Sequence, residues 1–282
     1  RASISAKRIM AVLNTETSIE NHPGNAQTDS GSGEHSVIFE HVDFVYPDGE
    51  EAVLKDISFS AKSGETVAFI GSTGSGKSSL IQLIPRFYDR ASGNIYIDGQ
   101  KIEDLDINAL RSKIGFVPQK AHLFSGTIEE NIRFGKPDAT MDEIIHAAKI
   151  AQAYDFIMEK PHQFQEQIVE GATNVSGGQK QRLSIARALI RKPEIYIYDD
   201  SFSALDFKTD ARLRKALKPE IKNAIVFLVA QRVSTILDAD KIVVLDEGKI
   251  AGIGTHRELL ASCPIYYEIA ASQLSKEELT YA

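Results

Sequence analysis

The stretch GSTGSGKS, residues 71–78, decides the fold because it fits the phosphate-binding pattern G-x-x-x-x-G-K-[ST] at every position. Its glycines let the backbone turn so that successive N–H groups point at one spot, which suits the phosphates of a nucleoside triphosphate. In this pattern Lys77 reaches the β- and γ-phosphates, and the Ser78 hydroxyl ligates Mg²⁺. The apolar run TVAFI, residues 66–70, precedes the motif as a buried strand should, and SSLIQLI follows Lys77 as the start of a helix. This order of strand, loop and helix favours a nucleotide site over a chance glycine-rich turn.

The composition is that of an ordinary globular protein with an acidic balance. The chain has 282 residues, of which 43% are hydrophobic and 25% charged, and its net charge is −7. This length allows one large or two small domains, and the acidic balance argues against a nucleic-acid partner, which normally meets a basic surface. The single cysteine, Cys263, excludes an intramolecular disulfide and suggests a reducing compartment. No apolar run approaches 18 residues, so we expect no membrane-spanning helix in this sequence.

Four regions follow one another along the sequence. Residues 1–13 place apolar side chains at roughly helical spacing, and because the chain begins with Arg1 rather than Met, we expect them to be the end of a helix from elsewhere in a longer protein. Residues 14–36 are rich in Asn, Ser, Thr, Gly and acidic side chains, which is typical of a flexible linker. A globular domain is expected over residues 37–272, followed by a C-terminal tail over residues 273–282.

The globular region combines two kinds of strand pattern with a helical segment. Before residue 66 and around residue 95, short alternating runs indicate an antiparallel portion, with strands expected within residues 37–46, 53–59 and 94–97 and a hairpin turn at Asp98-Gly99. From residue 66 strands alternate with helices, which predicts a mainly parallel sheet with strands at 66–70, 114–117, 194–199, 224–230 and 241–245. Residues 127–188 have mostly helical spacing and indicate a helical insertion. The expected class is therefore α/β, with a phosphate-loop core, an antiparallel β subdomain and an α-helical subdomain.

Two further motifs support nucleotide chemistry. The run IYIYDD, residues 195–200, is an apolar strand that ends in Asp199, and phosphate-loop enzymes hold Mg²⁺ through such a carboxylate. By itself the run would also suit a strand that ends in an acidic turn. The run VSGGQ, residues 175–179, places Ser176 to cap a helix and leaves two glycines with bare N–H groups at its positive end, which is a second anion-binding surface. An ordinary N-cap with a glycine turn explains the run equally well on its own.

Together these motifs, in this order, resemble the nucleotide-binding domain of an ABC transporter, over about residues 37–270. The resemblance implies an ATPase fold that binds ATP and Mg²⁺, with Tyr46 stacking on adenine and Gln119 both sensing Mg²⁺ and contacting the membrane domain. It also implies that Ser203-Ala204-Leu205-Asp206 forms the loop by which two such domains touch. The implied ATP-binding residues are Tyr46, Ser72, Thr73, Gly74, Ser75, Gly76, Lys77, Ser78 and Ser79. The implied metal ligands are Ser78, Gln119 and Asp199.

Within that family two domains bind head to tail, so the resemblance implies a second ABC ATPase domain as partner. Ser176, Gly177, Gly178 and Gln179 would then act on the ATP held by the partner. Residues 1–13 resemble the helix that joins the last membrane span of an ABC exporter to its ATPase domain. This implies a fused transmembrane domain, a position at the cytoplasmic face of the cell membrane, and a half-transporter of the multidrug or lipid type. No nucleic acid is expected.

Two residues depart from the family pattern at the same site. The family places its general base, a glutamate, directly after the strand-ending aspartate, whereas this chain has Asp200, whose carboxylate ends more than about one ångström short. A displacement of that size costs on the order of 100-fold in rate. The family also has a histidine where this chain reads AQRVST, and Gln231 donates a hydrogen bond but carries no charge toward the γ-phosphate.

The sequence therefore supports a primary hypothesis and two alternatives. In the first, the chain binds MgATP, hydrolyses it slowly through Asp200, Gln231 and Gln119, and completes the competent site of a different half-exporter. In the second, Asp200 and Gln231 compensate one another, and the domain is active as a homodimer. In the third, it is a soluble ABC ATPase that works on nucleic acid or ribosomes. The third is disfavoured, since the sequence shows no second ATPase domain, long coiled coil or basic tract.

Overall fold

A computed structural model describes residues 2–14, 19–21, 35–275 and 279 of the chain. The strands are β1 (Ser36–Phe44), β2 (Leu54–Lys62), β3 (Thr66–Gly71), β4 (Ser92–Ile97), β5 (Gln100–Lys101), β6 (Ile114–Val117), β7 (Gly126–Thr127), β8 (Gln167–Ile168), β9 (Ile195–Asp199), β10 (Ile225–Val229), β11 (Lys241–Asp246) and β12 (Lys249–Gly254). The α-helices are α1 (Ala2–Leu13), α2 (Lys77–Leu83), α3 (Ile107–Ser112), α4 (Ile128–Arg133), α5 (Met141–Ile150), α6 (Tyr154–Met158), α7 (Gly177–Leu189), α8 (Phe207–Glu220), α9 (His256–Ser262) and α10 (Pro264–Ala271). Across the described ranges, none of these helices is both long and apolar enough to cross a bilayer.

A six-stranded sheet forms the centre of the domain, in the order β12-β11-β3-β10-β9-β6. Its strand pairs are parallel except for the edge pair β11 and β12. The inner strands β9 and β10 are buried at every position, and their sequences IYIYD and IVFLV are continuous apolar runs. Parallel strands with both faces covered have this pattern.

A four-stranded antiparallel sheet, in the order β2-β1-β4-β5, covers one face of the central sheet. Asp98-Gly99 makes the turn between β4 and β5, as the sequence predicts. Phe59 of β2 meets Phe69 and Phe227 of the central sheet at ring-centroid separations of 5.5 and 6.3 Å. This aromatic contact joins the two sheets on the face that also carries helix α2.

Helices α4 to α7 form the helical portion and pack on the opposite face of the central sheet. Helices α4, α5 and α7 each begin with a capping box, in which the N-cap side chain and the third helical residue exchange hydrogen bonds. The short ribbon of β7 and β8 begins at the first boundary of the region predicted as a helical insertion, residues 127–188, and β8 lies within that region. The insertion is therefore mostly helical, as expected, and it also contains a small strand pair that was not predicted from the sequence.

The predicted fold class is confirmed: a mainly parallel sheet, an antiparallel portion and a helical portion are all present. The five predicted central strands lie within one residue of their observed bounds. Strand β12 was missed, because its sequence KIAGIG contains two glycines and follows a turn that looked like the end of the sheet. Most of the predicted linker, residues 14–36, lies outside the described residues, and within it Asn21 hydrogen-bonds the backbone N–H of Ile107 at 2.9 Å.

Helices α9 and α10 close the domain next to the edge pair β11 and β12. The Tyr266 hydroxyl of α10 and Nδ1 of His256 in α9 are 2.7 Å apart, and both residues are buried. Burial lowers the pKa of His256, which favours the neutral ring in this contact. Helix α10 is thereby anchored against α9 in the core.

We expect Gly93→Ala to destabilise the domain far more than Gly99→Ala. Both glycines have left-handed backbones, with φ of 80° and 77°, so both variants take the same strain of about 1–2 kcal/mol. A Cβ at Gly93 would also lie 2.2 Å from the carbonyl oxygen of His41, whereas one at Gly99 meets nothing within 4 Å. The clash adds about 1–3 kcal/mol. Urea unfolding of the two variants measures the difference, and equal losses would contradict the packing of β4 on β1.

Candidate functional site

The carboxyl ends of five central strands meet at one edge of the sheet, and the predicted site residues follow them. The phosphate loop, residues 71–78, begins with the last residue of β3, while Asp199 ends β9 and Asp200 follows it. Gln119 comes two residues after β6, and Gln231 comes two residues after β10. Ligands of open α/β sheets bind at this edge, and here the strand order brings distant parts of the sequence together.

The phosphate loop wraps around the side chain of its own lysine. Lys77 Nζ donates to the carbonyl oxygens of Gly71 and Ser72 at 2.8 and 2.7 Å, and to Ser75 Oγ at 3.3 Å. Gly71 cannot carry a side chain, because a Cβ there would lie 2.0 Å from the carbonyl oxygen of Leu245 in β11. Burial lowers the pKa of Lys77, and the charges of Asp200 and Asp199 oppose that shift.

Ser78 and Asp199 form the pair of oxygen ligands expected for a metal. Ser78 Oγ donates to Asp199 Oδ1 at 2.9 Å, so the two oxygens already lie side by side. Burial raises the pKa of Asp199, the Ser78 hydrogen bond lowers it, and the neighbouring charge of Asp200 raises it again. A hydroxyl and a carboxylate are hard oxygen donors of the kind that Mg²⁺ prefers, so these residues fit the implied ion.

Asp200 is the centre of the site, because two amides donate to the same atom of its carboxylate. Gln119 Nε2 lies 3.1 Å and Gln231 Nε2 2.7 Å from Asp200 Oδ2. Asp200 has a left-handed backbone with φ of 46°, and its N–H donates to the carbonyl oxygen of Val229 at 3.0 Å. Burial raises the pKa of Asp200, while hydrogen bonds from Ser203 and Gln119 lower it. The carboxylate is therefore held on one oxygen by two uncharged donors.

A cavity of about 920 Å³ lies over these residues. Every predicted ATP-binding residue within 72–79 lines it except Ser75, and Gln119, Asp199, Asp200 and Gln231 line it as well. Two parts of the wall were not predicted from the sequence. One is Val53 and Asp246, and the other is five residues of the C-terminal segment: Ile265, Glu268, Ile269, Ser272 and Gln273. Nothing in the local sequence of that segment indicates a site. Its place against the cavity follows from how α10 packs on α9.

Tyr46 lies beside the phosphate-loop helix but is not among the residues that line the cavity. Its hydroxyl and Ser79 Oγ are 2.9 Å apart. Its ring meets Phe44 and Tyr88 edge-on, at centroid separations of 4.8 and 5.1 Å. The structure thus fixes the position of Tyr46 through α2 and two aromatic neighbours, and its role toward adenine stays a prediction.

Ser176 to Gln179 lie away from this cavity at the start of α7. Ser176 Oγ accepts from the Gln179 N–H at 3.2 Å, and Gln179 Oε1 accepts from the Ser176 N–H at 3.0 Å. Ser176 and Gly177 are exposed, and a Cβ at Gly177 would meet nothing within 4 Å. The N-terminal end of α7, which was predicted to bind an anion, is therefore exposed on the surface.

The loop at residues 203–206 connects the two predicted sites physically. Ser203 Oγ donates to the carbonyl oxygen of Asp200 at 2.8 Å. One residue on, the carbonyl oxygen of Ala204 lies 3.2 Å from the point where a Cβ of Gly178 would stand. Asp206 then caps α8 by accepting from the Thr209 N–H at 2.9 Å. A single short loop thus lies against both Asp200 and Gly178 in the first turn of α7.

A second group of potential metal ligands lies at the opposite edge of the sheet. His35, Asp98 and Glu194 lie close enough together to share an ion. Lys113 Nζ, however, is 2.8 Å from both Asp98 Oδ2 and Glu194 Oε2. The lysine already supplies the positive charge there, so this group is a salt-bridge network that joins the starts of β1, β6 and β9.

Comparison with known proteins agrees with the fold and the motifs. A model of the ABC transporter family matches residues 54–203. The chain is 46% identical over 277 residues to YfiB, an uncharacterized ABC transporter ATP-binding protein of Bacillus subtilis (strain 168), covering 98% of this chain and 47% of YfiB. It is 48% identical over 237 residues to a putative multidrug export ATP-binding/permease protein of Staphylococcus aureus (strain NCTC 8325), covering 84% of this chain and 41% of that protein.

A solved structure, a bacterial Atm1-family ABC exporter with ATP bound, is similar with a TM-score of 0.88 and 34% identity, covering 97% of this chain and 48% of that one. The fold is that of an ABC-type nucleotide-binding domain. The chain belongs to the ABC transporter family, as the resemblance implied, and it is homologous to ATP-binding domains of ABC exporters. It spans about half the length of the curated relatives it matches.

We expect Gln119→Leu to raise the pKa of Asp200. The substitution removes one of the two amides that donate to Oδ2, and a donor stabilises the charged carboxylate. Carboxyl ¹³C NMR titration of aspartate-labelled protein measures the shift. Gln165→Leu is the matched control, because that amide donates to Glu129 on the helical portion at 2.6 Å. An unchanged Asp200 titration in Gln119→Leu would show that this hydrogen bond does not form in solution.

Proposed function

We propose that this chain is the ATP-binding domain of an ABC exporter half, with a slow ATP site of its own and a signature segment that completes the site of its partner. The observation that carries the proposal is the Asp200 carboxylate, one oxygen of which accepts from both Gln119 and Gln231. Most of the residues that would bind ATP line the cavity, whereas two of the residues that would cleave it, Asp200 and Gln231, depart from the family pattern.

The phosphate loop would hold the triphosphate of ATP. Lys77 would exchange its contacts with the Gly71 and Ser72 carbonyls for the β- and γ-phosphates, and the loop N–H groups would surround them. Ser78 and Asp199 would ligate Mg²⁺, with Gln119 as a further ligand, and Tyr46 would stack on adenine from its place beside α2. When bound, Mg²⁺ would neutralise charge on the β- and γ-phosphates.

Hydrolysis at this site would be slow because Asp200 is poorly built to act as a general base. An aspartate reaches about one methylene less far than the glutamate of the family, and a general base depends first on geometry. Its Oδ2 also accepts hydrogen bonds from Gln119 Nε2 and Gln231 Nε2, so this oxygen is already engaged before a water molecule could donate to it. Gln231 adds a hydrogen-bond donor but no positive charge for the charge that develops on the γ-phosphate.

The signature segment, residues 176–179, would act in trans. It lies outside the cavity of its own chain, its glycines are bare, and the positive end of α7 faces outward. A second ABC ATPase domain bound head to tail would place its own ATP there. A different half-exporter with a glutamate after its strand-ending aspartate would then supply the fast site.

A second candidate, a fully active homodimer, is favoured by one contact. Gln231 Nε2 lies 2.7 Å from Asp200 Oδ2, so the two departures touch each other directly. Asp200 and Gln231 could compensate for one another in hydrolysis only if their side chains were in contact. The two candidates differ in what Asp200→Glu does, and this makes that substitution the deciding one.

Export across a membrane would require a transmembrane domain fused to this one. The relatives are about twice as long as the chain, and the Staphylococcus aureus relative is named as an export ATP-binding/permease protein. Helix α1 carries exposed apolar side chains, among them Val12 and Leu13 at 75% and 71% exposure. It would be the end of the connecting helix, with the ATPase domain at the cytoplasmic face of the membrane and a multidrug or lipid cargo.

We expect the double variant Asp200→Glu/Gln231→His to hydrolyse ATP on the order of 100-fold faster than the natural chain, since it restores reach and charge at the γ-phosphate. Steady-state phosphate release at saturating MgATP measures this rate. Lys77→Ala added to the double variant is the control and should abolish the gain. An increase below about 2-fold would favour the active homodimer, because a compensated site has little to recover.

We expect the signature segment to act only across the dimer, and a complementation experiment tests this. One protein carries Asp200→Glu/Gln231→His with Ser176→Arg, and the other carries Lys77→Ala with its signature intact. Neither protein alone has a restored phosphate loop facing an intact signature, so each should be inactive. Their mixture assembles one such site and should regain ATPase activity. A mixture as inactive as its components would place the action of Ser176 within its own chain.

A further inference from the structure

The C-terminal segment forms a wall of the cavity that the phosphate-binding machinery does not explain. Gln273 stands at the end of this wall, two residues beyond the last residue of α10. Helix α10 begins at Pro264 and is anchored on α9 by the buried pair of His256 and Tyr266. Gln273 is exposed, and it follows a helix that is anchored in the core.

Both ends of the Gln273 amide bond the backbone of one loop. Gln273 Nε2 donates to the carbonyl oxygen of Gln231 at 2.9 Å, and Gln273 Oε1 accepts from the Val233 N–H at 2.8 Å. The two bonded backbone groups are two residues apart, as on one edge of an extended strand. An amide bonded at both ends fixes the position of this loop and also its rotation.

The loop at residues 230–232 connects β10 to a 3₁₀ turn, so some of its backbone groups depend on hydrogen bonds from outside these two elements. Strand β10 ends at Val229, and the Ala230 N–H still donates to Phe69 of β3 at 3.1 Å. A 3₁₀ turn then begins at Val233, whose N–H has no acceptor inside its own turn because it comes first. Gln273 supplies that acceptor.

The side chain of Gln231 points the other way, into the site. Its Nε2 is the donor 2.7 Å from Asp200 Oδ2. Three polar side chains therefore connect in sequence: Gln273 holds the backbone of Gln231, and Gln231 holds the carboxylate of Asp200. The C-terminal segment is therefore linked to the Asp200 carboxylate through Gln231.

We propose that Gln273 is a positioning residue that sets the place of Gln231 against Asp200 and so links the C-terminal segment to the hydrolysis step. This inference rests on the proposed function, since it assigns Gln273 to the same ATP site. Gln273 acts through the loop at 231–233 and does not bind ATP itself. Loss of the two Gln273 hydrogen bonds would therefore alter ATP cleavage while leaving ATP binding intact.

Two measurements on Gln273→Ala test the proposal. Amide hydrogen exchange needs no nucleotide, and the Val233 N–H should exchange about 10-fold faster once its acceptor is gone. Single-turnover hydrolysis, with protein in excess over MgATP, should slow by about 5- to 10-fold, while the Kd for MgATP changes by less than about 2-fold. Tyr267→Ala, on the exposed side of α10, is the matched control and should change neither quantity.

A double-mutant comparison separates positioning from a general structural role. If Gln273 works through Gln231, adding Gln273→Ala to Gln231→Ala should slow hydrolysis no further. Equal slowing in both backgrounds, or unchanged exchange at Val233 in Gln273→Ala, would overturn the proposal. If the natural chain fails to bind MgATP, the proposed function fails, and the exchange of Val233 still decides whether Gln273 holds the loop.

Discussion

Burial of both faces of the central sheet is the constraint on which this domain depends. Residues on one face of β3, β9 and β10 pack against the antiparallel sheet and α2, and those on the other face pack against α7 and α8. A sheet covered in this way has only its edges and strand ends left for polar chemistry. The phosphate loop, the two aspartates and the two glutamines therefore lie at the carboxyl ends of the strands, where the covered faces leave the sheet open.

The chemistry at that edge is divided unequally between binding and cleavage. Oxygen and nitrogen donors for a triphosphate and a divalent ion are numerous, and they belong to rigid strand ends or to the first turn of a helix. Under the proposed function, the cleaving group would be one short carboxylate held by neutral amides. Such a site would suit a domain that holds ATP for long periods, in which the nucleotide would link two domains more than it would supply energy.

Much of this could be predicted from the sequence, because the motifs have local causes. The phosphate loop, the strand before it and the strand ending in Asp199 each show in a run of fewer than ten residues. The contacts between Asp200, Gln119 and Gln231 could not be read in that way, because they join residues 81 and 31 positions apart. The place of Gln273 was also missed: a glutamine in an apparent tail gives no signal, and its role depends on how α10 packs on α9.

The reciprocal bonds at the start of α7 have a consequence for how two such domains would come together. In the single domain, the side chain of Ser176 bonds the backbone N–H of Gln179, and the side chain of Gln179 bonds the backbone N–H of Ser176. A phosphate that bound these N–H groups would replace the capping hydrogen bonds, so the free energy of breaking them would reduce the free energy of binding. Association would then be weak without nucleotide and strong only when a full triphosphate is presented, because a shorter anion offers fewer oxygens for the exchange. The helix cap would serve as a threshold that distinguishes ATP from ADP.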